Sequence, residues 1–124
     1  MYDRDLDRAY RSTRYVVEAP EGERVLRVGE PGPLAGAFIT AWNPASVPAA
    51  PEVNSRRQAA LTAAVQRRGY EFLLGRGEGC GWTEESILIL GIGREEALEL
   101  ARAFGQAAIV YVVATGAPAE IIWA

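Results

Sequence analysis

Apolar and polar positions alternate through residues 13–19 and again through 23–29, on either side of Pro20-Glu21-Gly22. Period-two alternation around a Pro/Gly turn predicts a β-hairpin. Residues 6–12 read as a short helix without an evident cap, and Asp3, Asp5 and Asp7 fall in a start expected to be mobile. Residues 29–36, with two prolines and three glycines, read as a connector. The apolar run 37–42 is a strand that Asn43-Pro44 must end. Proline has no N–H to give to a ladder, and it pushes the residue before it into an extended conformation. Pro44, Pro48 and Pro51 make 43–53 an irregular loop. A helix is expected from Asn54 or Ser55, where Ser55-x-x-Gln58 matches a capping box, to residue 68, closed by Gly69. Its predicted buried face is Ala60, Leu61, Ala64 and Val65, with Arg57, Gln58, Arg67 and Arg68 turned to water.

Further along, 70–74 reads as a strand, 75–81 as a flexible glycine-rich loop and 86–90 as a strand buried on both faces. A helix over 94–104 stops at Gly105, strand 107–113 follows, and 119–123 reads as a last edge strand. From 37 to 113 the order is β-α-β-β-α-β. The expected fold class is therefore α+β, a ferredoxin-like core with an added N-terminal hairpin and a C-terminal edge strand. All of it fits in one domain over residues 1–124.

That order sets directions. Strand 70–74 runs parallel to 37–42, while 86–90 and 107–113 run the other way. The end of 37–42, the end of 70–74 and the starts of 86–90 and 107–113 then share one sheet edge. Asn43, Ser46, the glycine run, Glu84, Glu85, Ser86 and Gln106 converge there, although over sixty residues separate them in the chain. Such an edge can hold a ligand. Equally, Asn, Ser and Gln in a long connection can serve only to satisfy backbone groups.

Composition narrows the chemistry. The chain has no histidine and no lysine, which excludes His-metal sites, Ser-His-Asp triads, Cys-His dyads, a P-loop lysine and Schiff-base chemistry within it. No metal and no cofactor is expected. All 13 cations are arginine, and the net charge of −3 argues against nucleic acid as a partner. No apolar run approaches the ~20 residues that span a bilayer, so no membrane association is expected and a cytoplasmic setting is the default. The single Cys80, between Gly79 and Gly81, lacks an activating base and reads as a tolerated surface thiol. Gly91-Ile92-Gly93 fails as a dinucleotide fingerprint, because a third glycine is absent and Glu95 and Glu96 would repel phosphate. The aromatic residues Trp42, Tyr70, Phe72 and Tyr111 suit a core better than a base-stacking platform, since these strands are apolar on both faces.

The run Phe38-Ile39-Thr40-Ala41-Trp42-Asn43-Pro44, followed by Ser46 and Asn54, resembles the hallmark of a family of small bacterial proteins catalogued only as a domain of unknown function, DUF3293. Trp82-x-x-Glu85-Ser86 leading to Leu88 and Gly91 extends the resemblance, as does Ala97-x-x-Leu100-Ala101-x-x-Phe104-x-Gln106. On these motifs the resemblance is expected to cover nearly the whole chain, with a shorter Gly75–Gly81 loop as one departure. It implies a shared polar set of Thr40, Asn43, Ser46, Asn54, Glu85, Ser86 and Gln106, and it carries no reaction.

The functional expectation is binding of a small polar ligand at the Asn43/Glu85/Gln106 edge. Glu85 beside Trp82 is the candidate catalytic acid or base, and Thr40, Asn43, Ser46, Asn54, Ser86 and Gln106 are the candidate ligand-binding groups. The competing expectation is a non-catalytic interaction module that pairs through an exposed sheet face, as a homodimer or with another protein.

Overall fold

A computed structural model describes residues 3–124. Helix α1 (Arg4–Ser12) opens the fold, followed by strands β1 (Arg14–Ala19), β2 (Gly22–Leu26) and β3 (Gly36–Ile39). A single 3-10 turn (Pro44–Ser46) precedes helix α2 (Pro51–Arg67) and the strands β4 (Phe72–Gly79) and β5 (Trp82–Ile89). Helix α3 (Arg94–Ala103) and strands β6 (Ala108–Val112) and β7 (Glu120–Trp123) complete it. The fold class is mixed α+β.

All seven strands lie in one sheet of order β2-β1-β4-β5-β3-β6-β7, and every neighbouring pair is antiparallel. Strand β4 therefore runs with β3, and β6 runs with β5, so the ends of β3 and the starts of β5 and β6 share an edge. The two outer margins of the sheet also meet. Beyond β2 the chain bridges to the segment before β7, with Gly29 N donating to Ala119 O at 2.8 Å and Ala119 N to Glu30 O at 2.9 Å. This connection curls the sheet, giving it an inner and an outer face.

Each face has its own core. On the outside, Ala37, Ile39, Ile87, Ile89, Ile109 and Tyr111 pack against Leu61 and Val65 of α2 and Ala97, Leu100 and Ala101 of α3. On the inside, Tyr15, Val17, Leu26, Phe38, Leu88, Val110 and Val112 meet. The alternation of a strand sends successive side chains to opposite faces, so Glu84 and Ser86 fall on the inside with Leu88, and Glu85 on the outside with Ile87.

Several expectations are corrected. The start is ordered from Asp3, whose side chain caps α1 by accepting from Asp5 N and Leu6 N, both at 3.0 Å. Asp7 is buried and pairs with Arg11 at 2.9 Å. Helix α2 begins at Pro51, whose fixed φ and missing N–H suit a first helical position, so the capping box at Ser55 is not used. Its buried residues are Asn54, Gln58, Leu61 and Val65, while Ala60 is exposed. Gln58 turns inward because its Oε1 accepts from Ala41 N at 3.0 Å, beyond the end of β3.

The glycine run is strand rather than loop. Gly75, Gly77 and Gly79 alternate along β4, and the hairpin turns only at Cys80-Gly81. A Cβ at Gly75 would stand 2.5 Å from Val16 O and 3.1 Å from the Phe38 ring, so only glycine lets β1 and Phe38 approach this closely. Among the described residues no helix is long and apolar enough to cross a membrane.

Candidate functional site

The inner face ends in a cleft of about 190 Å³ below α1. Leu6, Ala9 and Tyr10 of α1 form its roof, and Tyr15, Phe38, Trp42 and Trp82 supply aromatic walls. Thr40, Asn43, Ser46, Glu84, Ser86 and Gln106 supply its polar side. Gly77 makes room for it. This residue stands opposite Tyr15 on one neighbouring strand and Glu84 on the other, and contributes no side chain to the space between them.

The loop after β3 is held in an unusual shape. Asn43, Ala45 and Ser46 have φ of 47°, 57° and 60°, in the left-handed region that Asn tolerates and Ala and Ser do not favour. Compensating contacts fix it. Ala45 N donates to Gly105 O at 2.7 Å, and Ser46 N donates to Asn43 O at 2.9 Å. Pro44 lies against Gly105, where a Cβ would come within 2.9 Å of the proline ring, and Gly105 itself has φ +69°. Glycine is required there on both counts.

Asn43 is the centre of the network. Its Oδ1 accepts from Ala49 N at 3.0 Å and from Asn54 Nδ2 at 2.9 Å. Its Nδ2 donates to Glu84 Oε1 at 2.9 Å, and its backbone N donates to Asn54 Oδ1 at 2.9 Å. Arg57 donates through Nε to Ala41 O at 3.0 Å and through its guanidinium to Phe104 O. Gln106 Nε2 donates to Trp42 O at 3.0 Å and Phe104 O at 3.2 Å. Thr40 Oγ1 donates to Glu85 O at 2.6 Å and accepts from Trp42 N at 3.1 Å. Ser86 Oγ donates to Glu84 O at 3.2 Å. These bonds close the ends of β3, β5 and α3 onto one another.

Two groups stand apart from that closure. Glu84 is half-buried, and burial pushes its carboxyl above the usual carboxylate range, with the Asn43 amide pulling it partly back. Among the described residues no cation pairs with it, and its Oε2 has no side-chain or backbone donor. The second group is the Trp42 indole, whose Nε1 is shut off from solvent and has no hydrogen-bond partner among the described residues. Buried polar atoms are bonded in the great majority of cases, so this donor stands out. Tyr10 and Tyr15 sit beside Glu84. The Tyr10 phenol is pushed up to about 12, first by burial and then by the Glu84 charge. Tyr15 is raised for the same leading reason, and its hydroxyl donates to Tyr10 O at 2.7 Å.

Of the residues singled out from the sequence, Thr40, Asn43, Ser46, Ser86 and Gln106 line the cleft. Asn54 is buried behind Asn43 and reaches the cleft only through it. Glu85 is exposed on the outer face, in a shallow groove with Ser55, Gln58 and Arg76, and Glu84 occupies the position in the cleft. Tyr10, Tyr15 and Glu84 were not among the predicted site residues. Among the described residues no group of three or more His, Cys, Asp or Glu side chains could hold a metal ion.

A family model described as "Protein of unknown function (DUF3293)" matches residues 39–109. The chain belongs to this family. The match takes in Trp42, Asn43, Glu84, Ser86 and Gln106, and leaves α1, β1 and β2 outside it, so it is narrower than the motifs suggested. No curated protein and no solved structure gives a significant match. Within this DUF3293 chain, the polar side of the cleft, together with Trp42 and Trp82, comes from the matched segment, while Tyr10 and Tyr15 come from the N-terminal elements.

Proposed function

We propose that this domain binds a small polar molecule in the cleft under α1, with Glu84 as the principal contact and Asn43, Ser46, Ser86 and Gln106 shaping the polar side. The observation that carries this reading is a half-buried carboxylate facing a space of about 190 Å³ with one oxygen unengaged by any described residue. A protein does not gain stability by burying a carboxylate away from any cation, so such a group suggests use by a ligand. Among the described residues Glu84 is also the one carboxyl lining the cleft, and thus the acid–base group available to any chemistry carried out there. The four strands β4-β5-β3-β6, with α2 and α3 as crossovers, support a ferredoxin-like core as the scaffold. The resemblance noted above fits a bacterial source, and a cytoplasmic setting is proposed as the default. Homodimerisation through an open sheet face has less support, because α2 and α3 cover much of the outer face, and the curl with α1 covers the inner one.

The test is a screen of small polar metabolites followed by amide and indole chemical shifts. Binding that perturbs Trp42, Glu84 and Gln106 together, and is lost in Gly77→Val, is the expected result. Perturbations confined to other surfaces, or binding unchanged when Gly77→Val narrows the cleft, would overturn the reading.

A further inference from the structure

Resting on the reading of this cleft as a ligand site, we infer that its ligand class is a small organic cation, an ammonium compound carried on a short apolar chain. Among the described residues Glu84 is the one charged side chain in the lining, and no arginine contributes to it, although every cation of this protein's side chains is an arginine. An anion would therefore meet an uncompensated negative charge in a partly desolvated space, which is strongly unfavourable. A neutral molecule could hydrogen-bond to Glu84 Oε2 but would leave its charge unmatched. An ammonium group does both.

The walls point the same way. Tyr10, Tyr15, Phe38, Trp42 and Trp82 line the same cleft as the carboxylate, and the Glu84 charge is felt at both tyrosines. Aromatic faces attract a cation through their quadrupole, and a carboxylate within an aromatic enclosure is a recurring solution for ammonium recognition. Tyr15 and Phe38 meet edge-to-face with ring centroids 5.1 Å apart, and Tyr15 is tied to Tyr10 O, so this wall is set before any ligand enters. Glu84 is held in place by Asn43 Nδ2 on one oxygen, which leaves the other for a charge-assisted bond. The volume, about 190 Å³, suits a small ligand.

The experiment titrates the native protein with n-butylammonium, 1-butanol and butyrate, probes of one shape and three charges, and follows the indole resonances of Trp42 and Trp82. The expected result is saturable binding of n-butylammonium at least tenfold tighter than either of the others. In Glu84→Gln, which keeps an acceptor for Asn43, that preference should disappear. If 1-butanol or butyrate binds at the same indoles as tightly as the amine, or if Glu84→Gln leaves the preference intact, the cation assignment falls and the cleft remains a ligand site. If no probe shifts the indoles while the metabolite screen also finds no ligand there, both readings fall. The comparison of probes on the native protein decides the assignment even if the variant does not fold.

Discussion

Replacing Asn43 by alanine removes three side-chain hydrogen bonds, leaves Ala49 N without its acceptor, and leaves the buried amide of Asn54 with only its longer bond to Ala49 O at 3.3 Å. Each neutral bond contributes on the order of 1 kcal/mol net, and a buried donor left unpaired costs ~1–3 kcal/mol. Alanine must also adopt the left-handed conformation that Asn43 holds at φ 47°, at a further ~1 kcal/mol. Water entering from the cleft offsets part of the loss, so we expect a net destabilisation of about 2–4 kcal/mol. For a domain of 124 residues this lowers the thermal midpoint by roughly 3–5 °C per kcal/mol, or about 6–20 °C. Thermal unfolding followed by circular dichroism, with urea titrations to check that the slope is unchanged, measures it. Asn43→Gly separates the two contributions, since glycine loses the same bonds without the Cβ penalty and should recover about 1 kcal/mol relative to alanine. A midpoint for Asn43→Ala within error of the parent would refute the reasoning, because the loop would then be held by its prolines and backbone bonds alone. Equal midpoints for alanine and glycine would refute only the strain term.

Three further substitutions probe the cleft and β4. Burial raises the Glu84 carboxyl, so its charged form is disfavoured in the folded state, and the resulting penalty is absent below the ordinary carboxylate range and appears as pH rises through the raised value. Tyr10 and Tyr15, the other titratable groups beside it, stay protonated over this range. Glu84→Gln should therefore match the parent at about pH 4 and become the more stable of the two by about pH 7, read as unfolding midpoints across that window. A variant less stable at neutral pH, or a difference that ignores pH, would contradict it. Along β4, Gly75→Ala should cost about 1–3 kcal/mol, because its Cβ would stand 2.5 Å from Val16 O. Gly77→Ala should be neutral or stabilising by up to ~1 kcal/mol, since its nearest neighbour would be Thr13 Cγ2 at 3.6 Å. Urea unfolding of the pair decides it, and a loss at Gly77 as large as at Gly75 would mean that the cleft is already filled.

Much of the fold was legible because period and punctuation agree. The hairpin around Pro20-Glu21-Gly22, the helix before Gly105 and the strand ended by Asn43-Pro44 each combine an apolar pattern with a residue that stops it. The misreadings have a common cause, contacts made by distant segments. Gly75 and Gly79 look like part of a loop until Val16 and Phe38 are seen to need the space a Cβ would fill at the first, and Trp82 at the second. Gln58 looks solvent-facing until Ala41 N, left unpaired where β3 stops, requires an acceptor. The choice between Glu84 and Glu85 was undetermined locally, because Ile87, Leu88 and Ile89 are all apolar and fix no parity. Only the curl of the sheet, made by the bridge from Gly29 to Ala119, decides which parity faces the cleft.

The same contacts separate scaffold from site. Convergence of polar residues at a sheet edge does not by itself distinguish a ligand site from a satisfied loop, and here most of the convergent set is satisfied. Asn54 and Gln58 hold the backbone at Asn43 and Ala41, Arg57 and Gln106 hold the α3 exit, and Thr40 ties β3 to β5. Their bonding is internal, and it explains how three left-handed non-glycine residues between Asn43 and Ser46 persist. What this closed network leaves over is the informative part: Glu84 Oε2 and the Trp42 Nε1 donor, both on residues that line the same cleft. A loop built only to connect β3 to α2 has no need of a carboxylate without a cation, since glutamine there would accept from Asn43 without the burial penalty. The scaffold residues and the two unengaged groups therefore make opposite predictions for stability, loss on removal for Asn43 and gain at neutral pH for Glu84. Finding both signs in one network is what a binding site held by its own framework requires.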